Sequence, residues 1–150
     1  MKIVATNRKA THDYFIEQKF EAGIKLLGTE IKSIRASKVN INDAFVQIKN
    51  EEIFIINMHI GKYEFGNINN HDETRTRKLL LHKKEIFKLE SRIKEEGYSV
   101  VPLKAYIEKG LVKVEIAIAK GKKNYDKRQD LKEKDSQLRI KKVLKEVGRQ

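Results

Sequence analysis

Between Lys120 and Arg128, five of nine residues are Lys or Arg, one is Tyr125, and Gly121 frees the backbone where a strand-like run ends. Lysine ammonium groups and an arginine fork suit phosphates, and a tyrosine ring among them can stack on a base. A charge run alone is ordinarily a solvated surface, so the reading depends on what else the chain carries. Two further clusters share this chemistry. Thr74-Arg75-Thr76-Arg77-Lys78 sets three cations and two hydroxyl donors just before Leu79-Leu80-Leu81, which places charge on a surface anchored by core leucines. The competing reading is a solvating helix start. Lys32-Ser33-Ile34-Arg35, with Lys38, is a weaker patch of the same kind. Of the aromatic candidates Tyr14, Tyr63 and Tyr125, Tyr14 reads as core and Tyr125, amid charges, as a stacking platform.

Catalytic chemistry finds less support. His12-Asp13 are chain neighbours with no Ser or Cys nucleophile signature beside them, so His12 reads as a histidine near an RNA surface or bonded at a strand start. His71-Asp72-Glu73 resembles a ligand set on paper, but adjacent residues of a regular element do not all aim at one ion; a polar loop is the better reading. No phosphate-binding or dinucleotide-binding glycine motif occurs. No enzyme activity, metal or cofactor is expected.

The 150 residues suffice for one domain with a real core plus an appendage. A formal charge of +12 makes a polyanion the first partner to consider. Residues 120–150 hold 12 of the 33 Lys/Arg and 5 of the 21 Asp/Glu, a net +7 concentrated in a short arm. With no cysteine, disulfides and thiolate metal sites are excluded. Met1–Ala5 is too brief an apolar run for a signal peptide and no run approaches transmembrane length, so a soluble, cytosolic, monomeric chain is expected.

The elements that position these residues follow from periodicity. Asp13–Ile16 and Lys19–Leu27 alternate as a half-buried strand, and Thr29 is placed to cap a short helix over Glu30–Arg35. Ala44–Lys49 and Ile53–Met58 flank Asn50-Glu51-Glu52 as a hairpin, and residues 61–73 read as an exposed loop. Ile86, Leu89 and Ile93 define a helix over about 83–96, with Gly97 as its stop. Tyr98–Ile107 and Val112–Ala119 form a second hairpin around the turn Glu108-Lys109-Gly110-Leu111. These strands fit a small closed or partly open β-barrel carrying helices; an open two-layer α+β sandwich competes. In the arm, Ile140, Val143, Leu144 and Val147 face Lys141, Lys142, Lys145 and Arg149 across a helix of about two turns. So short a helix is marginal in water, so the arm is expected to be disordered until a partner orders it.

Several stretches then resemble the bacterial tmRNA-binding family of small protein B. They are Asn7–Glu17, Phe20–Ile24, Gly28–Arg35, Arg75–Leu81, Val112–Ile116, Ala119–Lys123 and Asp126–Arg128, in the family's order over nearly the whole chain. The resemblance implies a mainly β fold, a closed OB-like antiparallel barrel with a few surface helices over residues 1–121. Residues 122–150 would be a basic arm, disordered when free and helical on the ribosome. It implies an adaptor of trans-translation that binds the tRNA-like domain of tmRNA and delivers it to stalled 70S ribosomes. Elongation factor Tu would be met only indirectly, through charged tmRNA.

By motif, Glu21, Leu80 and Lys113 resemble tmRNA-holding positions. His12, Lys32, Arg35, Arg75, Arg77, Lys78, Lys120, Lys122 and Lys123 are further RNA-contact candidates. Tyr125, Asp126, Lys127 and Arg128 resemble the junction at the decoding centre, with Ile140, Lys141, Lys142, Leu144 and Lys145 in the mRNA channel. Glu73 stands where the family pattern leads one to expect a proline. The competing functions are a nuclease using His12, a permanent ribosomal protein or general tRNA binder, and a membrane-surface protein, which the weak apolar face and missing Trp disfavour.

Overall fold

The computed structural model describes residues 1–65, 70–95 and 97–122. In chain order the elements are β1 (Lys2–Thr6), α1 (Arg8–Asp13), β2 (Tyr14–Ile24), α2 (Gly28–Arg35), β3 (Val39–Asn40), β4 (Phe45–Lys49), β5 (Glu52–Ile56), β6 (His59–Ile60), β7 (Arg77–Leu80), α3 (Lys83–Ile93), β8 (Tyr98–Glu108) and β9 (Leu111–Gly121). Alternating apolar residues account for the long strands β2, β8 and β9. The short edge strand β1 and strand β7, hidden inside the Arg75–Leu81 cluster, were not legible from periodicity.

Seven strands form one antiparallel sheet in the order β1-β8-β9-β2-β7-β5-β4, and β3 pairs with β6 separately. Strand β4, the last in that order, packs against β8, the second, so the sheet curls strongly upon itself. Among the described residues no ladder joins its two edges. The expected closed barrel is therefore corrected to a mainly β, antiparallel, curled sheet with a few helices.

Both hairpins turn through two residues in the left-handed region. Asn50 (φ 51) and Glu51 (φ 63) join β4 to β5, and Lys109 (φ 50) and Gly110 (φ 78) join β8 to β9. That geometry matches the twist of the flanking strands. Glu52, expected in the first loop, is already paired with Lys49. Helix α3 stops at Ile93 rather than Glu96, and Gly97 (φ 83) turns the chain into β8.

Two bulges let one sheet serve two apolar clusters. Straight β9 sends Val114, Ile116 and Ile118 into the main core and Ala117 and Ala119 into a second cluster beneath Ala10 of α1. Its neighbours must change sides to follow it. In β2 the register shifts at Glu17, so Tyr14 and Ile16 face the second cluster while Phe20 and Ala22 face the core. In β8 it shifts at Leu103, with Val101 and Leu103 outward before it and Ala105 inward after it. An extra residue in a strand inverts its side-chain alternation. Asn7 secures α1 there, since its backbone N–H donates to Leu103 O at 2.8 Å and its Nδ2 to Pro102 O at 2.9 Å.

Helix α2 is fixed by a buried charge. Thr29 is not its cap; Glu30 reaches back to accept from Leu27 N at 2.8 Å, while Thr29 Oγ1 bonds His71 Nδ1 at 2.9 Å. His71, expected in an exposed loop, is 4 % exposed and also donates from Nε2 to Ile60 O at 2.8 Å. Glu30 and Arg77 are both 0 % exposed and directly paired, and Arg75 Nη2 adds a bond to Glu30 at 2.5 Å. Arg77 also donates to the carbonyls of Met58, Asp72 and Glu73. Burial pushes the Glu30 carboxyl up, but the bonds from Arg75, Leu27 N and Arg77 outweigh it and hold the group below its usual range.

Removing one partner of such a pair strands the other charge in the interior. Glu30→Leu is expected to lower unfolding free energy by about 3–5 kcal/mol, read as a reduced urea midpoint. A depressed folded pKa supplies stability above the unfolded carboxylate pKa, lost as pH falls through the folded one. The native chain should therefore lose stability in acid that the variant does not lose; equal acid profiles would contradict this account.

Candidate nucleic-acid interface

Lys113 and Glu21 stand on adjacent strands, and Leu80 comes from β7 on the far side of β2. The register sets Gly23 between them, opposite Lys113 on one flank and Leu80 on the other. A Cβ at Gly23 would lie 3.3 Å from Leu80 Cβ, so glycine leaves the space in which Leu80 sits. Glu21, Gly23, Leu80, Leu81, His82, Glu85 and Lys113 line one open groove of about 440 Å³. Leu80 is 51 % exposed there, an apolar side chain displayed to solvent.

The polar wall of the groove is a three-residue network. Lys113 Nζ donates to Glu21 Oε1 at 2.9 Å, and Tyr106 OH donates to Glu21 Oε2. The Tyr106 hydroxyl and then Lys113 hold the Glu21 carboxyl below its usual range. Glu21 in turn raises Lys113, while burial and the same hydrogen bond raise the Tyr106 phenol. At neutral pH the wall is a fixed carboxylate beside an ammonium. A carboxylate accepts from base amino groups or ribose hydroxyls and repels phosphate, the ammonium binds phosphate, and Leu80 offers a surface for a base or sugar.

Tyr106 was absent from the sequence-based candidates. The signal for it was present: a two-residue turn at Lys109-Gly110 places Tyr106 opposite Lys113. Flanking the groove, Glu115 is paired with Lys19 and Lys104 at 3.8 and 3.6 Å.

The other candidates separate into distinct places. At the end of β9, Lys122 N donates to Asp13 O at 2.8 Å, and its Nζ lies 5.0 Å from the Phe15 ring centroid and 3.4 Å from Thr11 O. Lys120 Nζ lies 5.7 Å from the Tyr98 centroid, and His12 Nδ1 bonds Asp13 Oδ1 at 2.8 Å. These three side chains lie around the root of the basic arm. Lys78 is paired with Glu52 at 3.3 Å, Lys32 stands over the Tyr63 ring at 5.1 Å, and Arg35 is exposed at the end of α2. Arg77 is a correction: wholly buried and spent on Glu30 and three carbonyls, it has no face for a phosphate. Arg75 is half-engaged by Glu30 and remains partly exposed. Glu73 bonds His59 Nε2 at 2.6 Å. Lys123, Tyr125, Asp126, Lys127, Arg128, Ile140, Lys141, Lys142, Leu144 and Lys145 lie outside the described residues.

Tyr106→Phe removes one of the two donors to Glu21. The Glu21 carboxyl is then expected to titrate closer to the ordinary glutamate value, which carbon-detected NMR of the side chain measures directly. An unmoved titration would show that Lys113 alone fixes the carboxylate.

Comparison with known proteins places this geometry in a lineage. A family model described as SmpB protein matches residues 4–146. The chain is 59 % identical over 148 residues to the SsrA-binding protein of Geotalea uraniireducens (strain Rf4), covering 99 % of this chain and 98 % of that one. It is 57 % identical over 149 residues to the SsrA-binding protein of Pelobacter propionicus, again covering 99 % and 98 %. A solved chain from the structure "tmRNA-SmpB: a journey to the center of the bacterial ribosome" is 44 % identical and superposes with a TM-score of 0.67, covering 79 % of this chain and 84 % of that chain. The chain belongs to the SmpB protein family.

Proposed function

We propose that this chain is the RNA-binding adaptor of ribosome rescue, which binds the tRNA-like domain of tmRNA and brings it to ribosomes stalled on messages without a stop codon. The observation that carries the reading is convergence. Glu21, Leu80 and Lys113, drawn from three strands, line one groove whose chemistry discriminates sugar and base from phosphate. The curled sheet acts in the manner of an OB-like barrel, reading unpaired bases and RNA shape, because an A-form major groove is too deep and narrow for side chains. The work is recognition and placement, without catalysis. The protein acts in the cytoplasm as a monomer and meets elongation factor Tu only through charged tmRNA.

Residues 122–150 supply the second contact in this proposal. Tyr125, Asp126, Lys127 and Arg128 occupy the decoding centre, and Ile140, Lys141, Lys142, Leu144 and Lys145 lie in the empty mRNA path. Message in that path competes for the same space, so stalled ribosomes are selected by exclusion. Lys122, fastened against α1, sets where the arm leaves the sheet.

A gel shift with the tRNA-like domain, challenged by excess bulk tRNA at physiological salt, tests the first contact. Retained binding is expected; displacement mole for mole would instead mark a general basic RNA binder. Removal of residues 130–150 tests the second. Affinity for tmRNA should stay within about twofold, roughly 0.4 kcal/mol, while tagging of stalled peptides is abolished; lost tmRNA affinity would contradict the two-part division.

A further inference from the structure

The loop after β6 carries an aromatic pair that the groove does not use. The rings of Tyr63 and Phe65 meet edge to face, centroids 5.6 Å apart at 70°. Lys32, from the exposed side of α2, holds its ammonium 5.1 Å from the Tyr63 centroid. Tyr63 is held in place by its surroundings. Asn70 exchanges two hydrogen bonds with Tyr63, Nδ2 donating to Tyr63 O at 2.6 Å and Oδ1 accepting from Tyr63 N at 3.0 Å. The next residue, His71, is buried against Thr29 of α2 and Ile60 of β6. Phe65 nevertheless remains 72 % exposed, an aromatic ring presented to solvent.

Its surroundings specify the partner. Gly61 N donates to Lys38 O at 2.8 Å, which brings Lys38 beside this loop, and Lys32 and Lys38 are both exposed. Glu64 is the one acid among residues 61–65. An apolar protein partner needs contiguous apolar area. Here a ring pair carries an ammonium group against it, the combination that stacks a base while neutralising a flanking phosphate.

We propose that Phe65, backed by Tyr63 with Lys32 against that ring, is a stacking platform for an unpaired RNA base. It is a further RNA contact, sharing no residue with the groove of Glu21, Leu80 and Lys113 or with the basic arm. The inference rests on the RNA-binding function proposed above. Unpaired bases reach it from either of two sources, the tRNA-like domain of tmRNA or ribosomal RNA.

The chain contains no tryptophan, so Phe65→Trp introduces a single indole at the platform. Its fluorescence is to be titrated separately with the tRNA-like domain of tmRNA and with 70S ribosomes, each complex being confirmed by gel shift or pelleting. Saturable quenching by one of the two is expected and identifies the source. Unchanged fluorescence with both, where complexes form, overturns the platform and leaves the adaptor function standing. Absence of any complex with the unaltered chain overturns both. As a second measurement, Phe65→Ala at unchanged thermal midpoint should weaken binding to the quenching RNA by roughly tenfold. Phe65→Tyr should restore it. An alanine variant that binds as tightly as the parent, or a tyrosine variant that does not recover, also overturns the proposal.

Discussion

The paired charges of Glu30 and Arg77 are the constraint on which the recognition face depends. Both are removed from water, and such a pair is a poor source of net stability compared with a well-packed apolar replacement. What it supplies here is position. Glu30 belongs to α2 and Arg77 opens β7, so their contact sets the helix against this four-residue strand. Arg77 then fixes three backbone carbonyls, from Met58, Asp72 and Glu73, on the segments to either side of the loop. Only with β7 held at this register does Leu80 stand across from Gly23 and enter the groove.

The second constraint is geometrical. A straight β9 between two bulged strands allows the outer surface of one sheet to be apolar beneath α1 and polar a few residues further along. Without the shifts at Glu17 and Leu103, the alternation of β2 and β8 would carry their polar residues into the core at one end. Glu17 is then free to hold α3: it accepts from Arg92 and, at 3.0 Å, from Tyr98 OH. The bulges thus divide the surface into the place where the arm departs and the place where the groove opens.

These features differ in how far the chain announces them. Strands β2, β8 and β9 follow from alternation, and both hairpins from their turn residues, because those signals are local. The bulges are not local: each exists because a neighbouring strand is straight. Arg77 shows the same limit from the side of function. Among Thr74–Lys78 it looks like one phosphate ligand of three, and only the presence of Glu30 across the fold turns it into a buried structural charge. Leu80 shows the converse. In a run of three leucines it reads as core, yet the β7 register sends Leu79 inward and Leu80 out. Tyr106 stands between these cases, since the hairpin turn alone pairs it with Lys113. Glu21 and Lys113 came from family pattern, which records a contact without saying why an acid belongs in it.

Their pairing answers that. An exposed lysine already bound to a carboxylate contributes little field beyond a few ångströms, and the Debye length at physiological salt is about 8 Å. Long-range attraction must therefore come from the rest of the +12 charge, much of it in the arm and around its root. The groove acts only at contact. In the proposed function Glu21 would set a penalty on any phosphate and a reward for a donor, while the uncharged Tyr106, bonded to the same carboxylate, would keep it oriented were Lys113 to turn to a ligand. The proposed function thus assigns attraction and discrimination to different residues. A uniformly basic surface of the same net charge would gather RNA of every kind and hold none of it in register.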